Sequence, residues 1–298
     1  MIRYLEQKEI NKSAWDHCVR SSTNSQPYAL SWYLDLVAAN WAALIEENDA
    51  GYSAVFPLPW TRKLGIRHIY TPFFCQQLGL FGSSSYALED FIKAIPRKYL
   101  RVNLQIQANN EPVLTGIQVE KKPNYKVNLD QEYAAIRSSF SENTRRNIKK
   151  AAKNELKLET GWDPAAFMQC LKTNQGPGIP ELKEAEYNRI QSIIETALER
   201  EEGDTVQVLD KEGFICGIFT LRGTNGPVYL FGTSNQRART SGAMAFAFNH
   251  LLSLYAKDGE RANTGMFDFE GSSIPGLSRF YRGFGALDIP YFMIRRGI

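Results

Sequence analysis

The predicted secondary structure elements of this chain follow one order twice, and this recurrence limits the fold more than any single motif does. Each half contains helices, then antiparallel strands, then one more helix and a last strand. In the second half, the apolar runs 205–209, 214–221 and 227–233 predict three successive strands, and a helix is predicted from Ala243 to Lys257. Helices mixed with mostly antiparallel strands predict an α+β fold.

The composition limits the class of protein. The chain has 298 residues, of which 43% are hydrophobic, so it can form a large core. Its net charge of +3 does not indicate a general nucleic-acid-binding protein. The cysteines are far apart and form no ligand spacing with the histidines, which predicts reduced thiols in a cytoplasmic protein and no metal site. No apolar run reaches the roughly 18–20 residues of a transmembrane helix.

The stretch from Gly265 to Gly285 begins with an acidic segment that ends in a glycine-marked bend. Asp268 and Glu270 alternate there with two phenylalanines. Because side chains alternate across a strand, this pattern predicts a strand with both carboxylates on one face.

The segment after the bend predicts a short amphipathic helix, because four apolar residues recur at helical spacing: Leu277, Phe280, Tyr281 and Phe284. Arg279 and Arg282 lie three residues apart and therefore share a face of this helix. They are candidates to bind a donor phosphate or an acidic acceptor. The alternative is that either arginine forms a structural ion pair with Asp268 or Glu270.

A second basic segment, Ser141–Asn154, predicts a helix with Ser141 as its N-cap. It contains one acid, Glu142, and five cations: Arg145, Arg146, Lys149, Lys150 and Lys153. Arg145 and Lys149 lie one turn apart and are candidate phosphate contacts. The alternative is a solvated basic face.

The loop before the predicted helix 243–257 is a candidate anion site. A helix N-terminus presents unpaired N–H groups to an anion, and arginines precede this one. The candidate ligands are Arg237, Arg239, Thr240, Ser241, Gly242 and Ala243. The alternative is an ordinary basic loop.

An apolar and aromatic segment, residues 65–82, contains the adjacent amides Gln76 and Gln77. They are candidate substrate contacts in a cleft, or else satisfied amides of a buried loop.

The second half resembles an acyl-CoA N-acyltransferase (GNAT) domain. In GNAT enzymes, the loop before the central helix follows an Arg/Gln-x-x-Gly-x-Gly/Ala pattern and holds the coenzyme A pyrophosphate. In this chain Arg239 and Gly242 match the arginine and the first glycine, whereas Met244 replaces the final small residue.

Three segments are more specifically similar to the Fem-type peptidoglycan aminoacyltransferases. The first is the basic helix that begins at Ser141, and the second is Asp268-Phe-Glu-Gly271, which follows Ala256-Lys257-Asp258-Gly259. The third is Gly276-Leu-Ser-Arg-Phe-Tyr-Arg-Gly-Phe-Gly285, in which Tyr281 replaces the lysine of the family. The resemblance extends from about residue 125 to residue 298, and it is looser in the first half.

This resemblance implies tandem GNAT-like domains at residues 1–135 and 136–298, each with a mixed, mostly antiparallel sheet flanked by helices. The second domain is expected to carry the donor site. The implied activity is transfer of an acyl group from a coenzyme A thioester to an amine of a small molecule or a peptidoglycan precursor.

Two alternatives remain open for the function. One is a Fem-like transferase that uses aminoacyl-tRNA, and the other is a non-catalytic binding protein with a GNAT fold. The small net charge and the absence of sustained heptads favour the coenzyme A thioester over tRNA.

Within this resemblance, Asp268 or Glu270 is the candidate general base for the attacking amine. Tyr281 is the candidate proton donor to the leaving thiolate, a role that a tyrosine has in many GNAT enzymes. The neighbouring phenylalanines are expected to exclude water and to raise the pKa of a carboxyl group beside them.

Overall fold

The computed structural model describes residues 1–49, 51–108, 111–271 and 274–297, and the chain divides into two compact units. The first unit comprises Met1–Pro123, Gly223–Asn225 and the residues from Ile289 onward. The second unit comprises Asn124–Arg222 and Gly226–Asp288.

Both units contain helices and strands. Those of residues 1–123 are β1 (Ile2–Glu6), α1 (Lys12–Ser21), α2 (Ser31–Val37), β2 (Asn40–Asn48), β3 (Gly51–Lys63), β4 (Ile66–Tyr70), β5 (Phe81–Gly82), α3 (Leu88–Lys93), β6 (Tyr99–Ile106) and β7 (Gln118–Lys122). Those that follow are β8 (Tyr125–Asn128), α4 (Tyr133–Ser138), α5 (Glu142–Lys153), β9 (Lys157–Thr160), α6 (Pro164–Asn174), α7 (Glu184–Glu199), β10 (Gly203–Asp210), β11 (Gly213–Leu221), β12 (Val228–Ser234), α8 (Gln236–Ser241), α9 (Ala243–Tyr255), β13 (Met266–Asp268), α10 (Pro275–Arg282), β14 (Leu287–Asp288) and β15 (Tyr291–Arg296).

The sheet of the first unit has the strand order β1-β2-β3-β4-β6-β15-β7, with β5 paired to β3. Neighbouring strands are antiparallel except β4 and β6, which are parallel and pair from Arg67↔Tyr99 to Tyr70↔Asn103. The last strand of the chain, β15, lies between β6 and β7 and is antiparallel to both.

The sheet of the second unit has the strand order β14-β8-β13-β12-β11-β10-β9. It too contains one parallel pair among the described strands, formed by β12 and β13. A crossover helix connects the members of each parallel pair, α3 in the first unit and α9 in the second. Both units are therefore mixed, mostly antiparallel sheets flanked by helices, as predicted.

The bounds of the units differ from the predicted domains 1–135 and 136–298. β8 precedes residue 136 but pairs with β13 and β14, so it belongs to the second sheet. β15 comes last but completes the first sheet. Sequence order alone does not reveal this return of the chain, because the strand pattern of β15 is the same whichever sheet it joins.

The helix α5 forms where it was predicted. The side chain of Ser141 caps its first turn by accepting a hydrogen bond from the amide of Thr144. Thr144, Ile148 and Ala151 are buried, whereas the five cations of this helix are exposed. The helix thus packs by one narrow face and presents its charged face to water.

The sequence predicts one helix from Ser84 to Tyr99, but the helix of the structure is much shorter, because α3 spans only Leu88–Lys93. Its end lies three residues before Pro96, and the residue before a proline is biased away from helical backbone angles. The start of the predicted span is not helical either, because the hydroxyl groups of Ser84 and Ser85 bond instead to the buried carboxylate of Glu46.

Among the described residues, none of the helices combines the length and the apolar composition needed to cross a membrane.

Candidate functional site

The second unit contains a cavity of about 630 Å³ beside the parallel pair β12 and β13. These two strands pair only at Val228↔Asp268 in the described part of the sheet. β12 also bulges against β11, because Phe219 faces Phe231 and Thr220 faces Tyr229, which leaves Leu230 without an opposite residue. The strands separate beyond their single contact, and the cavity lies along the freed part of β12.

One end of the cavity is polar. Arg239 is exposed and is the only charged side chain among the described residues that line the cavity. Gln175 connects to the end of β12, since it donates a hydrogen bond to the carbonyl oxygen of Ser234 at 2.9 Å and accepts one from the Thr233 hydroxyl at 2.7 Å. Asn147 of α5 also reaches the lining. This end can bind an anion through Arg239 and neutral groups through the amides.

The other end of the cavity is aromatic and contains two tyrosines. The ring of Tyr281 stacks on Phe269 with centroids 5.0 Å apart, and the ring of Tyr229 meets Phe248 edge-on at 4.9 Å. Neither tyrosine hydroxyl has a hydrogen-bond partner in the described part of the protein, although each residue lines the cavity. Both hydroxyl groups are thus available to a bound molecule.

The hydroxyl groups of the two tyrosines are neutral at pH 7, because the surroundings raise the pKa of both. Burial raises the pKa of Tyr281, and the negative charge of Glu270 raises it further. Burial likewise raises the pKa of Tyr229 far above its ordinary value, and Tyr281, Cys216 and Glu270 add to the effect. A neutral phenol can donate a hydrogen bond or a proton, so this end of the cavity can stabilise negative charge.

Asp268 lies outside the cavity lining, and three neighbouring groups contact its carboxylate. Its side chain forms an ion pair with Lys126 at 2.8 Å, and it accepts hydrogen bonds from Asn124 at 3.3 Å and from the amide of Glu270 at 2.8 Å. Asp268 is 2% exposed. These contacts suit a residue that positions the segment beyond β13.

The two predicted carboxylates do not share a strand face. β13 ends at Asp268, and Glu270 has a φ of +61° in the left-handed region. The Asp268 carboxylate bonds to the amide of Glu270 and turns the chain, so the alternation of the sequence does not continue as a strand. Glu270 is half-buried, and its charge acts on both cavity tyrosines.

The predicted anion-binding loop is a short helix, α8. Asn235 caps it by accepting from the amide of Ala238, and the amide of Arg239 bonds back to the carbonyl of Asn235 at 3.2 Å. The hydroxyl groups of Thr240 and Ser241 also bond to carbonyls of this helix. The amides of Arg239 and Gly242 are therefore used inside α8, whereas Met244 and Ala245, in the first turn of α9, line the cavity.

The remaining residues of this loop have different environments. Arg237 points away from the cavity lining and pairs with Asp210 and Glu212. Gly242 joins α8 to α9 with a φ of +84°, and a Cβ atom there would come within 2.4 Å of the Asn147 carbonyl oxygen. Ala243 is buried at the first position of α9. Gly242 is thus needed for the close approach of α5.

The predicted substrate contacts lie in several places. Arg145 and Lys149 are exposed on α5, and no ion pair to them occurs among the described residues. Arg279 is exposed on α10. Arg282 lies over the ring of Tyr125 at 5.1 Å and 3.8 Å from Asp288, so its acidic neighbour is neither Asp268 nor Glu270.

Gln76 and Gln77 lie in the first unit and line no part of this cavity. Gln77 is 2% exposed and donates a hydrogen bond to the side chain of Gln76 at 2.8 Å. The two amides therefore contact each other, and their role as substrate contacts stays a prediction.

The sequence reasoning missed Tyr229, Gln175 and Asn147 as cavity residues. A signal for Tyr229 was present in Gly232, because a glycine inside a strand often marks a bulge or a close approach. Nothing comparable marks Gln175, whose position depends on the packing of α6 against β12.

Comparisons with known proteins add to this description. No known protein family and no curated protein matches the sequence. The structure is similar to that of FemX, with a TM-score of 0.71 and 15% identity over 98% of this chain and 96% of FemX.

Two further structures show the same likeness. A tandem GNAT protein from the clavulanic acid biosynthesis pathway has a TM-score of 0.54 and 7% identity, covering 99% of this chain and 98% of that protein. A conserved protein of unknown function from Bacteroides thetaiotaomicron has a TM-score of 0.64 and 11% identity, covering 99% of both chains. With the two sheets described above, these likenesses show that the chain has the tandem GNAT fold of the Fem-like type.

Proposed function

We propose that this chain transfers an acyl group from a phosphate-bearing donor to an amine, in the cavity between β12 and α9. The observation that carries the proposal is the lining of that cavity, which contains both Arg239 and the two tyrosines Tyr229 and Tyr281. Acyl transfer requires both a grip on the donor and a way to stabilise charge at the reacting carbonyl. The similarity to FemX and to a tandem GNAT protein supports the same reaction class.

The reaction replaces one bond of the acyl carbon by another. The amine nitrogen attacks the carbonyl carbon, a C–N bond forms, and the C–S bond of a thioester or the C–O bond of an ester breaks. The acceptor enters as an ammonium ion and loses one proton to Glu270 through water before it attacks. The leaving thiolate or alkoxide takes the proton of Tyr281, and the second proton of the attacking nitrogen restores the phenol through water. The cavity tyrosines donate hydrogen bonds to the carbonyl oxygen as negative charge develops there.

Glu270 is the general base in this proposal. It lies just beyond the end of β13, and its charge raises the pKa of both Tyr281 and Tyr229, so we assign to it the first proton of the acceptor, received through water. Asp268 is a positioning residue, because its carboxylate bonds to the amide of Glu270 and is neutralised by Lys126.

The first candidate donor is a coenzyme A thioester. The cavity volume of about 630 Å³ lies within the range that small-molecule and cofactor sites have. Its long wall is the unpaired edge of β12, which offers backbone groups to an extended ligand. Arg239 is then the contact for a donor phosphate.

Aminoacyl-tRNA is a second candidate donor, and two observations favour it. The amides of Arg239 and Gly242 are used within α8, so they take no part in a backbone cradle for pyrophosphate. The exposed cations of α5 form a stripe on the helix that also carries the cavity residue Asn147. A stripe of this kind suits a long polyanion. For either donor, the acceptor is an amine of a small molecule or of a peptidoglycan precursor.

The test is donor binding, measured as a shift of the melting temperature with acetyl-CoA, coenzyme A or charged tRNA. A ligand at about one hundred times its Kd stabilises a protein by roughly 2.7 kcal/mol, which raises the melting temperature by several degrees. Arg239→Gln is expected to abolish the shift. Arg189→Gln is the control for the same change, since the side chain of Arg189 is 38% exposed and lies on α7, outside the cavity lining.

Two measurements distinguish the donors: the salt dependence of binding, and the effect of removing positive charge from α5. If tRNA is the donor, its binding falls steeply between 50 and 200 mM salt and weakens further in a Lys149→Gln, Lys150→Gln, Lys153→Gln variant. If coenzyme A is the donor, that triple variant binds it normally. Absence of binding by every donor contradicts the transferase proposal and supports a non-catalytic binding protein.

A further inference from the structure

The second unit contains another cavity, of about 710 Å³, which shares no lining residue with the cavity described above. It lies at the start of β10, where β9 no longer covers that strand, because the pairing of β9 with β10 begins only at Val206↔Thr160. The end of β11 and one side of α9 complete its wall.

The base of this cavity is built around one buried carboxylate, that of Asp204, which is 8% exposed. Arg222 grips it with two nitrogens, Nε at 2.7 Å and Nη2 at 2.9 Å, and Arg261 approaches the other side through Nη1. The hydroxyl group of Tyr255 donates to the same carboxylate and is itself held by Thr220 at 3.0 Å. Burial and the charge of Asp204 raise the pKa of Tyr255, so this donor stays protonated.

The network leaves donor groups of both guanidinium ions facing the cavity. Arg222 uses Nε and Nη2 on Asp204 and Gly203, and its Nη1 has no partner among the described residues. Arg261 uses Nη1 alone in the same part of the structure. At the base of the cavity two guanidinium ions share the one carboxylate of Asp204, and their side chains are 34% and 43% exposed. The pair is fixed in place before any ligand arrives, which lowers the entropic cost of binding.

A third group at this cavity lacks a partner. The Nε2 atom of His250 is buried and forms no hydrogen bond within the described residues, and His250 lines the cavity. Buried polar atoms are nearly always hydrogen-bonded, so an unpaired one calls for an explanation. His250 therefore adds a polar residue with an unpaired ring nitrogen to the wall that Arg222 and Arg261 also line.

We propose that this cavity binds a small carboxylate. A carboxylate accepts two parallel N–H bonds from a guanidinium ion, and the free edges of Arg222 and Arg261 supply such donors. Glu201 and Glu260 also line the cavity, and their charges oppose a dianion such as phosphate more than a monoanion. The ligand class is therefore a monoanionic carboxylate, bound apart from the proposed transfer site.

The test measures the binding of acetate and benzoate to the full chain. Binding is detected on the ligand by saturation-transfer NMR, and inorganic phosphate is added as a competitor. The wild type is expected to bind both probes saturably, and phosphate is expected to compete weakly. Arg261→Gln is expected to raise the Kd of the probes at least tenfold, because it removes one guanidinium ion and leaves the Arg222–Asp204 pair intact. Arg261→Lys keeps the charge but loses the planar guanidinium group, so its Kd for the probes is expected to lie between those of the wild type and Arg261→Gln.

Two controls locate the site. Arg189→Gln makes the same change at a similarly exposed arginine outside the cavity, and Arg239→Gln makes it in the other cavity. Both are expected to bind the probes as the wild type does. The proposal is overturned if the wild type binds neither probe, if phosphate binds more tightly than acetate, or if Arg239→Gln rather than Arg261→Gln loses binding.

Discussion

The hydroxyl group of Tyr229 lies against Gly232, three residues later on the same bulged strand. A Cβ atom at residue 232 would come within 2.1 Å of the Tyr229 oxygen. The bulge at Leu230 brings the tyrosine over the glycine, so the ring lies along the strand and faces the cavity. The position of one candidate catalytic hydroxyl therefore depends on the absence of a side chain at another residue.

Gly232→Ala is expected to displace the ring of Tyr229. Inserting a methyl group into a packed site costs about 1–3 kcal/mol, and the free energy of unfolding should fall by that amount in chemical denaturation. Donor binding should weaken as well, since the ring moves within the cavity. Gly178→Ala is the control, because a Cβ atom at Gly178 meets nothing within 4 Å. Unchanged stability and binding in Gly232→Ala would contradict this role.

Removal of the cavity hydroxyl groups is expected to slow transfer without unfolding the protein. Tyr281→Phe and Tyr229→Phe each remove an oxygen that has no hydrogen-bond partner among the described residues, so the melting temperature should change little. If these groups act as general acid or stabilise the carbonyl oxygen, kcat should fall about 10²-fold or more with KM nearly unchanged. Tyr86→Phe, in the first unit, is the matched control for the same change. Wild-type kcat in both cavity variants would exclude the proposed role.

Loss of the Asp268 charge is expected to destabilise the second unit. Asp268→Asn leaves the ammonium of Lys126, which is 13% exposed, without its carboxylate. Breaking a buried ion pair costs about 3 kcal/mol or more, measurable by urea denaturation. The double variant Asp268→Asn, Lys126→Met should recover more than half of that loss. A double variant less stable than the single one would argue against the pair as the cause.

Protonation of His250 is expected to destabilise the fold at mildly acidic pH. Burial lowers the pKa of His250 below its ordinary value of 6.5, and the charge of Glu260 opposes this effect in part. The folded protein therefore binds this proton more weakly than the unfolded chain does. The contribution of neutral His250 is complete above about pH 6.5 and is lost as the pH falls below that value toward the pKa of the folded state.

The measurement for His250 is the free energy of unfolding between pH 7.5 and 5.0. The wild type should lose stability over this range, and His250→Gln should lose less, because glutamine does not titrate. His17→Gln, which changes an exposed histidine, should follow the wild type. Parallel pH curves for the wild type and His250→Gln would refute the assignment.

Elements with strong periodic patterns could be predicted from the sequence. The helix α5 begins at its predicted N-cap, and the three strands β10, β11 and β12 overlap their predicted runs. The amphipathic helix α10 also lies where the apolar spacing placed it. These elements are set by local pattern and burial, which a single sequence displays.

Features decided by one side-chain contact could not be predicted. Glycine, arginine and serine at residues 237–242 indicated a loop, but the Asn235 cap makes most of that segment a helix. The alternation around Asp268 indicated a strand, but the Asp268 side chain turns the chain at Glu270. In both segments a short polar side chain bonds to a nearby amide, and this contact competes with the pattern that surrounds it.

In the candidate site, too, some residues could be predicted from the sequence and others could not. Arg239 and Tyr281 were selected on motif and both line the cavity, whereas Tyr229 and Gln175 reach it only through a bulge and a helix contact. A bulge shifts every later residue of a strand to the other face, so a face assigned from alternation fails beyond it.

The position of β15 between β6 and β7 affects how the protein is made. During synthesis at about 5–20 residues per second, β6 emerges from the ribosome roughly 10 to 40 seconds before the strand that separates it from β7. All the described strands of the second sheet, by contrast, are translated before β15 is. The first sheet to begin synthesis is thus completed after the second, and its open edge is the segment that a chaperone has most reason to shield until β15 has been translated.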